Sequence, residues 1–390
     1  MPVARVYLAP DASLKRLEAP YVYNRVTDDL FEVSEEAFRF LDRCAGGAPV
    51  AEADDEFLRT CLDEGLLERR PETVSHRPPR TGDRPSLRYL LVHLTDRCNL
   101  GCRHCYRAGA KKGDLSAFSH RRMLEEFEDG GGLRLLLSGG EPLLYPYFWQ
   151  LNDLLPAFDI RVVLLTNGTL LDRRSAALLN VHEVQASLDG LEESHDRLRG
   201  PGAFRRALAG LEAARAVGLT VSVASTVNAL NVDDFEALAE IVAELDVWQW
   251  TIDVPAVAGA MVANPELAAP LDRAAAALEL AMPAGNHGDN EGQLCGAHMA
   301  AVMPDGAVVK CGLFGDIRGG TLERGLRAAW RALPHRSLDG LGEPCRSCLH
   351  LEECRGGCRY RGGGLDSPDP DPVQCHRYGV LHACTKEVVG

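Results

Sequence analysis

Six short apolar runs, each followed by a polar or amphipathic stretch, dominate the middle of the chain. Leu87–Thr95, Leu133–Ser138, Arg161–Thr166, Glu183–Ser187, Thr220–Val227 and Trp248–Ile252 read as strands. Arg121–Glu128, Ala203–Val217 (ended by Gly218) and Val232–Glu244 read as helices between them. Apolar strands alternating with amphipathic helices predict β/α units and a parallel sheet. Six units fall short of the eight that a closed barrel requires. The expected fold is therefore α/β, an open, partial (β/α)6 barrel over residues 87–285.

The flanks read differently. In residues 1–75, short extended stretches (Val3–Leu8, Tyr21–Asn24, Leu30–Val33) precede a helix. Ser34 can N-cap that helix, with Glu35 and Glu36 favoured in its first turn. Phe38, Leu41 and Cys44 form its apolar stripe, and a second helix carrying Phe57, Leu58, Cys61 and Leu62 is stopped by Gly65. This predicts a small α+β domain. The following PETVSHRPPRTGDRPS has four prolines and reads as a linker. Beyond residue 286, to about 385, the periodicity fades, so an irregular domain is expected whose folding energy comes from something other than a large apolar core.

The residues just past each strand narrow the function. In order they are Asp96-Arg97-Cys98, Gly139-Gly140-Glu141, Asn167-Gly168, Asp189-Gly190, Asn228 and Asp253. Sites in parallel β/α folds sit at the carboxyl ends of strands. Turns attract Gly, Asn and Asp for their own reasons, so the signal lies in the repetition.

Charge and cysteine usage exclude whole classes. A net charge of -14 argues against phosphate-driven nucleic-acid binding. No apolar run approaches the ~18–20 residues of a membrane span. The start, MPVARVYLAP, lacks the layout of a secretion signal, so a cytoplasmic location is expected. Thirteen cysteines are clustered, three between Cys98 and Cys105 and eight between Cys295 and Cys384. Thiols gathered in knots in a cytosolic chain point to metal rather than disulfides.

Cys98, Cys102 and Cys105 form a CxxxCxxC set after the first barrel strand. Three thiolates can hold three irons of a cubane and leave the fourth open; a zinc site would take a fourth ligand, which His104 or His93 could supply. With Ser138-Gly139-Gly140-Glu141-Pro142, Thr166-Asn167-Gly168, Ser187-Leu188-Asp189-Gly190 and His195-Asp196-Arg197-Leu198-Arg199-Gly200 in this order, Leu87–Glu244 resembles the radical SAM (S-adenosylmethionine) superfamily. The resemblance implies a 4Fe-4S cluster on Cys98, Cys102 and Cys105 whose open iron binds SAM. It implies that Gly140 and Glu141 meet the methionine amine, Ser187 the ribose or carboxylate and Arg199 the carboxylate, with His104 against the adenine. Reductive cleavage of SAM would give a 5′-deoxyadenosyl radical that abstracts hydrogen from a substrate, the cofactor carrying the hard chemistry.

Cys295, Cys311, Cys345, Cys348, Cys354, Cys358 and Cys375 resemble the SPASM domain, which holds two auxiliary iron–sulfur clusters. The gap between Cys348 and Cys354 is too short for a zinc ribbon. By the family's pattern Cys345, Cys348, Cys354 and Cys375 would bind an outer cluster, and Cys295, Cys311 and Cys358 an inner one. The fourth inner position would be open, or filled by His298, Cys384 or a substrate thiol. Residues 1–75, with Asp28–Ala37, resemble the recognition element for ribosomally made, post-translationally modified peptides, a winged-helix-like domain that captures a precursor's leader by β-augmentation.

Together these imply an enzyme that abstracts hydrogen from a precursor peptide and installs a thioether or carbon–carbon cross-link, fed by a flavodoxin- or ferredoxin-type electron donor. The alternatives are an anaerobic sulfatase maturase, a small-molecule (tetrapyrrole or redox-cofactor) enzyme, and a non-enzymatic electron carrier. Gly312, directly after Cys311, stands where the maturases carry an aspartate. The sequence singles out no proton acceptor.

Overall fold

The structure is a computed structural model in which residues 4–69, 78–110, 113–283, 294 and 296–380 are described. β1 (Arg5–Leu8), β2 (Ala12–Arg16), β3 (Pro20–Asn24) and β4 (Asp29–Glu32) come first, then a helix at Glu35–Cys44, β5 (Ala48–Pro49), a helix at Asp55–Asp63 and β6 (Leu67–Glu68). β2, β3 and β4 form an antiparallel meander, and β1 pairs between β5 and β6. Ser34 caps the first helix as expected, its Oγ accepting from the Ala37 amide at 3.1 Å. Gly65, with φ +65°, supplies the left-handed residue past the second. Phe38, Leu41, Cys44, Leu58 and Cys61 are buried in this domain's core. The sequence pattern misses β2, because Lys15 interrupts its apolar run yet is itself buried.

β7 (Tyr89–His93), β8 (Arg134–Ser138), β9 (Arg161–Thr166), β10 (Glu183–Ser187), β11 (Thr220–Thr226) and β12 (Gln249–Asp253) pair in that order, all parallel. The α/β reading of this region therefore holds. The expectation for the carboxyl-terminal region needs correction. β13 (Met299–Val302) lies parallel beside β7, and β14 (Ala307–Val309) and β15 (Arg318–Thr321) follow antiparallel, giving nine strands in one sheet. Ala300, Val302, Val308 and Trp330 of the helix at Leu326–Ala332 join the main core. Such short strands, built of Ala, Val and Gly, leave too little alternation to read. No described helix is long and apolar enough to cross a membrane.

The amino-terminal domain is docked against the amino ends of the parallel strands. Val22 faces its own helices, whereas Tyr21, Tyr23 and Leu30 meet Leu133, just before β8. Around this contact lie buried charges. Asp28, fully buried, pairs with Arg134 and, at 3.5 Å, with Arg161. Arg161 also meets Glu183 at 2.8 Å and donates to the Arg25 carbonyl at 2.6 Å. Glu18 holds Arg88 at 2.7 Å and the Ser86 amide at 2.6 Å. Lys15 donates to the Gly132 and Asp159 carbonyls, both at 3.1 Å. Ions taken out of water need such partners, since an unpaired one costs several kcal/mol. The described part of the proline-containing segment is likewise fixed. Gly82 donates to the Arg16 carbonyl at 2.9 Å, and Asp83 is held by Arg327 at 2.9 Å and Arg331 at 2.5 Å. The linker reading thus gives way to a docked connection over residues 78–86.

Candidate functional site: a cysteine-lined cavity at the carboxyl ends of the strands

A cavity of about 1830 Å³ opens at the carboxyl ends of the parallel strands. Every strand contributes to its wall: Asp96 follows β7, Gly139 follows β8 and Asn167 follows β9, while Ser187, Thr226 and Asp253 end β10, β11 and β12. Asn228 and Asp189, grouped with them in sequence, are buried and do not line the cavity.

Cys98, Cys102 and Cys105 share this wall. The Leu100 amide, at 3.5 Å, and the Asn167 side-chain amide, at 4.0 Å, point at Cys98 Sγ, as donors to a thiolate would. Burial pushes the Cys102 thiol up to about 11, so ionising it there requires a cation at the sulfur. The β8 end passes beneath this loop through glycine. A Cβ on Gly140 would stand 2.4 Å from the Arg97 carbonyl and 3.0 Å from Cys98 Cβ, and Gly139 has φ +143°. Three thiols with amide donors, arranged over a side-chain-free floor, fit an iron–sulfur cluster. Neither histidine considered for zinc faces these thiols alone: His93 Nε2 is 3.4 Å from the Tyr106 hydroxyl, and His104 Nε2 is 3.9 Å from Asp189. Among the described residues no three His, Cys, Asp or Glu side chains converge to hold a single metal ion.

Of the residues expected to contact SAM, His104, Gly140, Ser187 and Arg199 line the cavity and Glu141 does not. Glu141 is fully buried, and its carboxylate accepts from Thr166 Oγ1 at 2.8 Å, the Asn167 amide at 2.9 Å and the Leu143 amide at 3.2 Å. It ties the β8 end to the β9 end. Arg199 is held through its Nε by Asp189, whose other oxygen accepts from the Thr226 amide at 2.8 Å. Burial pushes the Asp189 carboxyl up, but the charge of Arg199 and its hydrogen bond outweigh it and hold it at about 2. Burial brings His104 down to about 4, so its ring is neutral. His195 accepts from the Asp189 amide at 3.0 Å, and Asp196 accepts from the Phe204 amide at 2.9 Å. Both therefore shape the loop and leave the cavity to Arg199. Sequence reasoning quoted Asp189 and Asn167 within their motifs without assigning them roles; only their contacts reveal these.

The far wall carries a second group of thiols. Cys311, Cys354 and Cys358 line the same cavity, while Cys345, Cys348, Cys354 and Cys375 line a small adjoining pocket among Leu351, Gly356 and Val380. The four thiols assigned to one cluster by resemblance thus line one small pocket, a donor set that fits an iron–sulfur cluster. None of the eleven described cysteines is in a disulfide. Cys295 and Cys384 lie outside the described residues. His298, offered as a further ligand, lines the cavity; its Nδ1 is 2.9 Å from the Ser86 carbonyl and 3.9 Å from Glu18, while its Nε2 has no hydrogen-bond partner among the described residues. A Cβ on Gly312 would lie 3.1 Å from the Tyr106 hydroxyl and 3.2 Å from His93 Nε2. The position where the sulfatase maturases carry an aspartate therefore faces a tyrosine–histidine pair here.

Comparison with known proteins agrees with this geometry. The model of the radical SAM superfamily matches residues 92–243. The mycofactocin maturase MftC of Mycobacterium ulcerans is 32% identical over 327 residues, which are 73% of this chain and 87% of that protein. The Fe-coproporphyrin III synthase of Methanosarcina barkeri is 36% identical over 163 residues, covering 40% of this chain and 41% of its own. Among solved structures, Streptococcus suis SuiB bound to precursor peptide SuiA superposes with a TM-score of 0.67 at 15% identity, over 93% of this chain and 98% of that one. With the cluster loop, the glycine floor and the strand-end residues in place, the chain belongs to the radical SAM superfamily.

Proposed function

We propose that this protein is a peptide maturase that abstracts hydrogen from a ribosomally made precursor and installs a thioether or carbon–carbon cross-link. The observation that carries this reading is the cavity, which runs from the Cys98–Cys105 loop to Cys311 and Cys358. Its volume of about 1830 Å³ would house the cluster and SAM together with a substrate segment reaching between the two groups of cysteines. The relatives support it: the one matched over most of its length is a maturase, and SuiB has been solved with a precursor peptide. The synthase relative, which covers only 40% of this chain, leaves both flanking domains unaccounted for.

In this proposal residues 87–285 are the radical SAM core and 286–385 a SPASM domain with two auxiliary clusters. When bound, the SAM cluster supplies a 5′-deoxyadenosyl radical. Around it Arg199, fixed by Asp189, clamps the SAM carboxylate, the Gly140 backbone receives the methionine end, Ser187 serves the ribose, and the neutral His104 ring faces the adenine. Cys345, Cys348, Cys354 and Cys375 would hold one auxiliary cluster and Cys295, Cys311 and Cys358 the other, groups that would supply one-electron transfer. A flavodoxin- or ferredoxin-type protein supplies the reducing electron.

Residues 1–75 act as a winged-helix-like recognition element. β4 is an outer strand of its meander, pairing among the described residues with β3 alone. The Val33 amide turns inward to the Pro20 carbonyl, so by alternation the Leu30 and Glu32 backbones point away from β3, and at the exposed Glu32 an added leader strand could pair.

The test is anaerobic reconstitution, with about twelve irons per chain expected from three four-iron clusters. Reductant and SAM should then release 5′-deoxyadenosine, and the peptide encoded beside this gene should emerge lighter by a hydrogen pair. Glu32→Pro, which deletes one outward amide on an edge strand, should abolish binding of that peptide while SAM cleavage continues. Release of 5′-deoxyadenosine with no change in the peptide would refute the substrate class.

A further inference from the structure

We infer that Asp371 and Arg361 are positioning residues that set the spacing and the local charge of the two cysteine-held clusters in the carboxyl-terminal region; this rests on the auxiliary-cluster reading above. Asp371 is fully buried. One of its carboxylate oxygens accepts from the Cys358 amide at 2.8 Å, and the other accepts from the Val373 amide at 3.1 Å, capping the helix Pro372–Arg377. Its carbonyl accepts from the Cys375 amide at 3.0 Å. Cys358 lines the large cavity and Cys375 the small pocket, so one residue spans ligands assigned to different clusters. The chain closes tightly over it: a Cβ on Gly357, with φ +59°, would lie 2.5 Å from Asp371 Cβ.

Arg361 carries the link onward. It binds Asp371 through Nε and Nη2, at 3.1 and 2.9 Å, and donates through Nη1 to Asp253 at 2.8 Å and to the Val254 carbonyl at 3.1 Å. The cysteine knot is thereby fastened to the end of β12. Sequence motifs absorbed neither residue.

Groups next to cluster ligands tune iron–sulfur potentials through charge and hydrogen bonding. Asp371→Asn keeps the shape and an amide oxygen for the Cys358 N–H while removing a negative charge, which stabilises the reduced cluster. Arg361→Gln leaves the carboxylate uncompensated and acts oppositely. A merely structural role would shift both variants the same way.

The full chain and both variants are reconstituted, counted for iron, and titrated electrochemically with spin-resonance detection. About twelve irons are expected in each. One cluster should rise in potential in Asp371→Asn and fall in Arg361→Gln, while the cluster whose signal changes on adding SAM stays put. Shifts of the same sign, or none at full iron content, overturn the inference. If a variant loses iron, Asp253→Asn decides. That side chain is 69% exposed and touches Arg361, so a smaller positive shift is expected and an unmoved potential overturns the inference. About four irons in the parent protein would instead remove the auxiliary clusters, a failure visible before any titration.

Discussion

At their amino ends the parallel strands begin with charged residues sealed against a second domain, whereas at their carboxyl ends they finish in polar residues facing an open cavity. Arg88, Arg134, Arg161 and Glu183 stand at or next to the starts of β7, β8, β9 and β10, and Glu18 and Asp28 of the amino-terminal domain meet the arginines. Asp96, Asn167, Ser187 and Asp253 stand at the other end, lining the cavity. The first arrangement has its charges neutralised within the protein and is fixed; the second leaves room for a cofactor and substrate. The amino-terminal domain is therefore part of the same solid as the sheet, and a leader held on it would be offered to the cavity from a constant position. Deleting that domain would strip partners from buried arginines, so the edge variant is the cleaner probe of leader binding.

The comparison can be broken in order of expected effect. Cys102→Ala, at the open end, should abolish 5′-deoxyadenosine release and remove about four of about twelve irons, with little change in the denaturation midpoint. Asp28→Ala, at the sealed end, should do the reverse, costing about 3–5 kcal/mol of stability on denaturant titration because Arg134 and the buried Arg161 each lose a carboxylate held out of water. An unchanged midpoint would mean that the junction is not a stabilising core.

Lys15 gives the sealed end a pH signature. Burial lowers it from 10.5 to about 8, so above pH 8 the folded state sheds a proton that the unfolded chain keeps until about 10.5. The unfolded state then binds more protons, and stability should rise with pH across that window, at up to about 1.4 kcal/mol per pH unit. Below pH 8 the penalty for the buried charge is fully present. Lys15→Met should lack this rise; a parallel profile would show that Lys15 does not titrate there.

Glu141→Ala sharpens the open end. It strands the Thr166 hydroxyl and the Asn167 amide, for about 1–3 kcal/mol, and should weaken SAM binding by calorimetry although Glu141 lies outside the cavity. Intact SAM affinity would show that the β8–β9 tie is dispensable. The smallest effect is expected from Arg97→Ala, an exposed partner of Asp114 beside the cavity. Its denaturation midpoint should match the parent's, in contrast to Asp28→Ala.

The alternation of Leu135 and Leu137, or of Val184 and Ala186, is local, so their strands could be read from the chain alone. So could the CxxxCxxC loop and the motif glycines, because their spacing is itself the signal. β2 escaped because a buried lysine resembles a surface one until Gly132 and Asp159 stand against it. β13–β15 escaped because short Ala-, Val- and Gly-rich strands acquire their meaning by pairing, β13 with β7 and the next two in succession. Glu141 was placed in the right segment, yet whether its carboxylate faced the cavity or the neighbouring strand depended on Thr166, 25 residues away.

The sequence by itself determined the order of the six parallel strands and the chemistry each strand end can offer, since periodicity and ligand spacing are properties of neighbouring residues. Only the tertiary structure decided that Cys311 and Cys358 share a cavity with Cys98, that Asp189 stands behind Arg199, and that Asp28 anchors two strands from another domain. Contacts between distant residues follow from how sheets and helices pack, and a charge shows its partner only once burial has forced it to take one.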